Sequence, residues 1–286
     1  MVKTGALAVV LWSARAVADV FPDPSYSALP CRPTIACTAD IVPPGVLELE
    51  SGYIYRRLGS GAHQSSIPFL AKLTLLEWVQ LQVGSNGPTV ASAPSEARYF
   101  DDVTLGLKVH VRAQSAHAPS ISLSATLSIP TFQATGYTRT YDALFTAYAT
   151  KDFGWLHADW NVGANAWRIE GAPLPQVWSA LALSVQLPRR FGAMLEGYYF
   201  SDAAPVNPHD GGILAALSFQ PRRWIVLDAG PDVGLVRSTR VASAFVGVTV
   251  IVLDLRRAAS TRTAPRRRRG RRAASPGASR AASSRS

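Results

Sequence analysis

The stretch Asp101-Asp-Val-Thr-Leu-Gly-Leu-Lys-Val-His-Val111 alternates strictly between apolar and polar residues. Successive side chains of an extended strand point to opposite faces, so the two kinds of residue would separate completely. The apolar face would carry Val103, Leu105, Leu107, Val109 and Val111, and the polar face Asp102, Thr104, Gly106, Lys108 and His110. The pattern therefore predicts a strand with an apolar medium on one side and water on the other.

Similar segments recur about a dozen times between Val46 and Leu255, with turn-forming residues between them. The expected connections alternate between short and long, the long ones including 85–100, 130–141, 201–211 and the stretch between a strand ending at Asn165 and one beginning at Trp178. Outer-membrane barrels have an even number of strands, short periplasmic turns and longer outer loops. The sequence therefore predicts an all-β fold, a transmembrane antiparallel up-and-down β-barrel of about twelve strands over residues 46–255. A soluble extracytoplasmic β protein is the alternative, and it predicts purification without detergent.

Aromatic residues lie near the ends of many predicted strands. They fit the two girdles that mark the membrane–water interfaces of such barrels, although aromatic residues of an ordinary core would give the same spacing. The candidates are Tyr53, Tyr55, Trp78, Trp155, Trp178, Phe191, Tyr199 and Trp224.

The N-terminus has the pattern of a cleaved signal peptide, residues 1–18. Lys3 precedes an apolar run from Gly5 to Trp12, and Ala16-Val17-Ala18 is a small-x-small cleavage pattern. The run is too short for a membrane helix, which needs roughly 18 apolar residues. Residues 19–45 are rich in proline and have no periodicity, so we expect a periplasmic lead or a plug segment in the barrel mouth. Together with the barrel pattern, the signal peptide predicts the cell outer membrane, with both mature termini periplasmic.

The positive charge of the chain belongs to its C-terminal tail. The formal net charge is +10, but residues 256–286 contain 11 arginines and no acid, which leaves 10 − 11 = −1 for residues 1–255. This Arg-, Ala- and Ser-rich tail is too polar to bury a core, and we expect it to be disordered. A periplasmic tail has no nucleic-acid partner, whereas anionic lipid headgroups and cell-wall polymer are available to it.

Both cysteines lie in one short stretch, Cys31-Arg-Pro-Thr-Ile-Ala-Cys37. In an oxidising compartment the pair can close a small structural disulfide loop. A zinc site is the weaker interpretation, because two thiols without an adjacent His or acid supply half of a ligand set.

Several stretches, in this order along the chain, resemble one family of outer-membrane proteins. They are Pro44-Gly-Val-Leu-Glu-Leu-Glu-Ser-Gly-Tyr53, Leu73-Thr-Leu-Leu-Glu-Trp-Val-Gln-Leu-Gln-Val-Gly84, Asp102-Val-Thr-Leu-Gly-Leu-Lys108, Leu127-Ser-Ile-Pro-Thr131, Leu195-Glu-Gly-Tyr198 and Leu227-Asp-Ala-Gly230. The family consists of twelve-stranded transporters linked to the meta-pathway of phenol degradation, and the resemblance spans residues 44–253. It implies an outer-membrane location and the passage of small molecules, aromatic or hydrophobic ones among them. The chain departs from the family at Pro130-Thr131-Phe132, where many relatives have Pro-Thr-Gly, and in its tail, where barrels usually end on an aromatic residue.

The predicted strands place many ionisable side chains on the inner face. An outward basic residue at mid-depth would cost about 2–4 kcal/mol, which favours the inward orientation. These residues could form ion pairs that brace the wall, such as Glu50 with Lys72 or Asp102 with Lys108, or a polar path for a solute. The candidates are Glu48, Glu50, Arg56, Lys72, Asp102, Lys108, His110, His157, Asp159, Glu196 and Asp228.

Catalysis has little support in the sequence. The five histidines are scattered, and His157 with Asp159 shares a face without an obvious nucleophile. We expect no enzyme activity, no metal and no cofactor. The leading hypothesis is a channel for small molecules with lipid and solute as its partners, and the alternative is a closed structural or surface-binding barrel whose loops do the work. The pattern does not define an oligomeric state.

Overall fold

The computed structural model describes residues 26–31, 34–59, 61–92, 97–131, 141–169, 172–201, 210–236 and 240–255. The predicted signal peptide (1–18) and the Arg-rich tail (256–286) lie outside the described residues. Among the described residues, no helix has the length and apolar character needed to cross a membrane.

The described chain is built almost entirely of antiparallel strands. They are β1 (Val46–Leu58), β2 (His63–Ser66), β3 (Phe69–Leu76), β4 (Val79–Ser85), β5 (Pro88–Ala91), β6 (Ala97–Phe100), β7 (Val103–Arg112), β8 (Ser120–Ile129), β9 (Asp142–Phe153), β10 (Leu156–Ile169), β11 (Ala172–Leu187), β12 (Phe191–Phe200), β13 (Asp210–Arg222), β14 (Ile225–Val236) and β15 (Arg240–Asp254). A short turn, Pro188–Arg190, joins β11 to β12.

These strands close into a barrel of twelve staves. β15 pairs with β1 along its whole length, from Val46↔Asp254 to Leu58↔Arg240, so the sheet has no open edge there. Three staves are each interrupted once, as β2 with β3, β4 with β5 and β6 with β7. Pro68 lacks an N–H and Gly87 has a φ of 67°, which explains two of these interruptions. The predicted all-β, twelve-stranded antiparallel barrel is confirmed.

The two faces of the staves differ as the alternation predicts. On β7, Leu105 and Leu107 are 43% and 44% exposed on the outside, whereas Lys108 is 1% exposed. The same contrast recurs on β12, where Leu195 is exposed and Glu196 is buried. The outer surface is an apolar belt and the inner surface is polar.

The prediction that short and long connections alternate strictly is wrong. The expected loop 85–100 contains β5 and β6, and only residues 170 and 171 separate β10 from β11, where a long loop was expected. At the other end, the β7–β8 connection spans residues 113–119. Backbone ladders continue past the apolar belt because interstrand hydrogen bonds do not depend on which side chains face lipid.

We call the end of the barrel that holds the β3–β4, β9–β10, β11–β12 and β13–β14 turns the turn end, and the opposite end the loop end. β1 begins and β15 finishes at the turn end. Six of the eight predicted girdle aromatics are exposed on the outside. The other two were assigned wrongly: Trp178 and Trp224 point inward and pack against residues that precede β1.

Candidate functional site

The lumen of the barrel holds part of its own chain. Residues 26–31 and 34–42, which we call the inner segment, make no strand ladder and lie inside the barrel. Ala36, Ala39 and Val42 are at most 2% exposed. A backbone without a ladder needs other hydrogen-bond partners when it is buried, and here the polar inner face of the staves supplies them.

Glu48, Glu50 and Lys72 form the first contact region, which we call the Lys72 anchor. The ammonium group pairs with both carboxylates and donates to Leu29 O, and the three side chains are at most 2% exposed. Glu48 accepts from Leu29 N at 2.7 Å and Glu50 from Cys31 N at 3.0 Å. β1 and β3 pair Glu48 with Lys72 directly, so the strand register places the opposite charges together.

Thr150, Asn161 and Glu196 form the second contact region, the Glu196 anchor. The Glu196 carboxylate accepts from Ile35 N at 2.9 Å and from Ala36 N at 3.1 Å. With its amide oriented to satisfy both atoms, Asn161 accepts from Cys37 N at 2.7 Å and donates to Cys37 O at 2.9 Å. Thr150 Oγ1 accepts from Ala39 N at 2.7 Å and lies 3.2 Å from Thr38 Oγ1. This anchor contains one charged group, and each of its three side chains contacts the inner segment.

Lys108 and two serines hold the return of the inner segment toward the turn end. Lys108 donates to Thr38 O, and its ammonium group lies 4.3 Å from the centroid of the Tyr148 ring. Ser122 donates to Ala39 O, and Ser120 donates to the Asp40 carboxylate at 2.6 Å. The segment therefore contacts staves on opposite sides of the lumen.

Cys31 and Cys37 are joined by a disulfide, with Cα atoms 4.6 Å apart. The bridge closes the central loop of the inner segment between the two anchors. Cys31 N binds the Lys72 anchor, and the Cys37 backbone binds the Glu196 anchor. The disulfide thus ties the two contact regions to each other.

A cavity lies on each side of the inner segment within the lumen. The turn-end cavity has a volume of about 340 Å³, and its lining includes Asp40, Asp152, Asp159, His157 and Asp228. The loop-end cavity has a volume of about 320 Å³. Its lining is uncharged, with rings, amides and aliphatic side chains that include Tyr148, Trp178, Phe200, Gln82, Asn161 and Asn165. The two cavities therefore differ sharply in electrostatic character.

Trp178 reaches the loop-end cavity because the adjacent strand leaves room for it. A Cβ atom at Gly163 on β10 would overlap the indole. The indole Nε1 donates to Asn165 Oδ1 at 3.2 Å, and the ring stacks on Phe200 at 5.7 Å between centroids. The glycine thus permits an aromatic side chain inside the lumen.

The other candidates lie nearer the two ends of the lumen. Arg56 is near the loop end and donates to Ser66 Oγ at 3.4 Å, and Asp102 lies just before β7. His157 contacts Asp152 at 2.6 Å and Asp159 at 3.1 Å, and Asp228 packs over Gly247 at the turn-end cavity. His110 Nδ1 lies 3.3 Å from Ala39 O.

One predicted ion pair is present and the other is wrong. Glu50 pairs with Lys72. Asp102 and Lys108 are six residues apart on one stave, which separates them by about 20 Å at 3.3 Å per residue. Lys108 instead reaches across the lumen to the inner segment.

Sequence reasoning missed the uncharged groups that hold the inner segment, Thr150, Asn161, Ser120 and Ser122. Their inward alternation was visible, but nothing in the sequence indicated which residues they would contact. Asp232 was also missed; it accepts from Tyr198 at 2.8 Å and from Ser243 at 2.7 Å within the wall.

The described residues contain no group of three or more His, Cys, Asp or Glu side chains placed to hold a metal ion. Thr150 donates its hydroxyl to the Asp159 carboxylate. In the described part of the lumen, the arrangement supports hydrogen bonding and ion pairing with a chain or a solute.

No protein-family model matches the chain, and no curated protein matches it. Among solved structures, the KdgM porin is similar with 10% identity and a TM-score of 0.46, over 71% of this chain and 98% of that one. OccK11 (OpdR) of Pseudomonas aeruginosa has 10% identity and a TM-score of 0.36, over 82% and 99%. The transport unit of the autotransporter AIDA-I from Escherichia coli has 9% identity and a TM-score of 0.38, over 72% and 89%. None of these similarities concerns the phenol meta-pathway, and at such TM-scores the fold is established by the strand pairing of this chain alone.

Proposed function

We propose that this protein is an outer-membrane channel for small molecules, in which the inner segment is the movable obstruction. The observation that carries the proposal is a polar lumen with a cavity on either side of that segment. An apolar belt surrounds the barrel, and lipid is the medium that such a belt fits. β1 begins and β15 finishes at the turn end, which we assign to the periplasm.

The contacts of the inner segment suit reversible displacement. Many of them are hydrogen bonds, several to charged side chains of the wall, and water can replace such partners when the segment leaves. Once it leaves, the inward groups of both anchors would line a continuous polar path. Glu48, Glu50, Lys72 and Glu196 therefore serve first as anchors and become solute-path residues only in the open state.

The lining of the loop-end cavity supports a proposal for the solute class. Aromatic and aliphatic side chains surround it, and amides provide a few hydrogen-bonding positions. Such a mixed lining fits small uncharged molecules with an apolar, in particular aromatic, part and a hydroxyl or amide group. This matches the solute class implied by the resemblance to the phenol-linked transporters.

Liposomes containing the full protein test the channel directly. We expect phenyl glucoside and mannitol to enter faster than into protein-free liposomes, and faster still with Glu196→Gln, which weakens the hold on the inner segment. Heat-modifiable gel mobility establishes insertion. Tight liposomes with both proteins, despite proven insertion, would contradict a channel.

A closed structural barrel is the second candidate. The Lys72 anchor favours it, because buried ion pairs on neighbouring staves brace a wall without any opening. This candidate predicts that Glu196→Gln lowers stability without raising permeability.

A further inference from the structure

Two turns at the turn end repeat one short motif. Pro188-Arg189-Arg190-Phe191 joins β11 to β12, and Pro221-Arg222-Arg223-Trp224 joins β13 to β14. β12 and β13 are paired neighbours, so the two turns lie side by side. Arg190 donates to Pro221 O, and the rings of Phe191 and Phe219 lie 4.9 Å apart. The fold therefore brings four arginines together on one part of the rim.

The first turn holds its arginines in an unfavourable backbone conformation. Arg189 and Arg190 have φ values of 60° and 69°, which a type I′ hairpin turn requires and which Asn-Gly satisfies best. The left-handed conformation costs about 1–2 kcal/mol for each residue with a Cβ atom. Arginine is thus unfavourable for the backbone of this turn at both positions.

Three of the four arginines line a common crevice. Arg190, Arg222 and Arg223, with Gln220 and Trp224, surround a space of about 440 Å³ that is separate from the turn-end cavity. Gln220 donates to Arg223 O at 3.1 Å and holds the second turn closed. In the part of the chain that the structure describes, none of the four guanidinium groups forms an ion pair with a carboxylate.

We propose that this crevice binds a phosphate group. Guanidinium forks match the oxygens of phosphate in pairs, and three of them around one site suit an anion with several exposed oxygens. The apolar belt begins beside the crevice, where Leu187 and Phe191 are 40% and 44% exposed. A phosphate at this height is available from a lipid headgroup, and a soluble phosphate ester offers the same chemistry.

Binding to the full protein in a zwitterionic detergent tests the site. The probes are dihexanoyl phosphatidylglycerol below its micelle concentration, glycerol phosphate, and dihexanoyl phosphatidylcholine, measured by calorimetry at low and high salt. We expect phosphatidylglycerol or glycerol phosphate to bind and Arg222→Gln/Arg223→Gln to weaken that binding at least tenfold. Phosphatidylglycerol binding much more tightly than glycerol phosphate identifies a lipid headgroup, and equal binding identifies a soluble ester.

The matched control removes two charges from the same end of the barrel outside the crevice, as Arg112→Gln/Lys151→Gln. This variant should bind the phosphate probes with an affinity within about twofold of that of the unaltered protein. If both double variants lose the same amount of binding, the general charge of the rim binds the probes and the proposed site is wrong. The proposal is also wrong if neither phosphate probe binds. The single variant Arg190→Gln should weaken binding less than the double variant, and heat-modifiable mobility shows that each variant is folded.

Discussion

The two anchors of the inner segment hold it by different means. In the Lys72 anchor, three buried ionised groups pair with one another as well as with the segment. In the Glu196 anchor, the contacts with residues 35–39 reach from the wall to the segment. If the segment left, the Lys72 ion pairs would remain, whereas Glu196 would lose these hydrogen bonds. The Lys72 anchor therefore contributes mainly to barrel stability, and the Glu196 anchor mainly to closure.

Lys72→Met should have the largest effect, and that effect should be on the stability of the barrel. The change leaves Glu48 and Glu50 buried without their cation, and breaking a buried ion pair in this way costs about 3–5 kcal/mol. The midpoint of the heat-induced gel shift in detergent should fall clearly. Removing all three charges in Lys72→Met/Glu48→Gln/Glu50→Gln should recover most of the loss. If the Lys72→Met barrel melts at the same temperature as the unaltered protein, the proposed difference between the two anchors is wrong.

Glu196→Gln should act on closure. A hydrogen bond to a charged group contributes about 1.5–3 kcal/mol, and every 1.4 kcal/mol is tenfold in an equilibrium. The open fraction in single-channel recordings should therefore rise about tenfold or more, with little change in melting. Asp232→Asn is the control, since that buried carboxylate accepts from the wall residues Tyr198 and Ser243. An equal rise in both variants would show that lumen charge in general controls opening.

Asn161→Ala should have a smaller effect in the same direction. It removes two neutral hydrogen bonds to the Cys37 backbone, each contributing about 0.5–1.5 kcal/mol. We expect several-fold more frequent openings in the same recordings. Asn165→Ala, on the same face of β10, removes contacts to Gln176 and Trp178 instead and should not change the open fraction. The comparison fails if the two variants open equally often.

Thr38→Val should have the smallest effect. Threonine and valine have similar shapes. The change removes the hydroxyl contact with Thr150, which contributes about 0.5–1.5 kcal/mol, and the acceptor of Asp40 N within the inner segment. The open fraction should rise by a few-fold at most. Thr89→Val removes a buried hydroxyl whose acceptor is Gly87 O, away from the inner segment, and should leave opening unchanged. A larger rise than that of Glu196→Gln would reverse the order of importance within the anchor.

The alternation of residues predicted the barrel and its faces because one pattern repeats along every stave. Lys72, Lys108 and Glu196 were assigned inward from the cost of placing charge in lipid, and the structure places them inward. The path of the inner segment could not be predicted in the same way. Residues 26–42 have no periodicity, and contacts such as Ile35 with Glu196 join positions 161 residues apart. The outward assignment of Trp178 and Trp224 was wrong for the same reason, since the path of the segment that they pack against could not be predicted from the sequence.

Locking the inner segment to the wall tests the central claim most directly. Thr38 and Thr150 have hydroxyl oxygens 3.2 Å apart, so Thr38→Cys/Thr150→Cys in a Cys31→Ser/Cys37→Ser background can form a disulfide between the segment and β9. We predict that oxidation abolishes single-channel conductance, that a thiol reductant restores it, and that the background without the new cysteines responds to neither. Undiminished conductance through the oxidised, cross-linked barrel would contradict an inner segment that must move for solutes to pass.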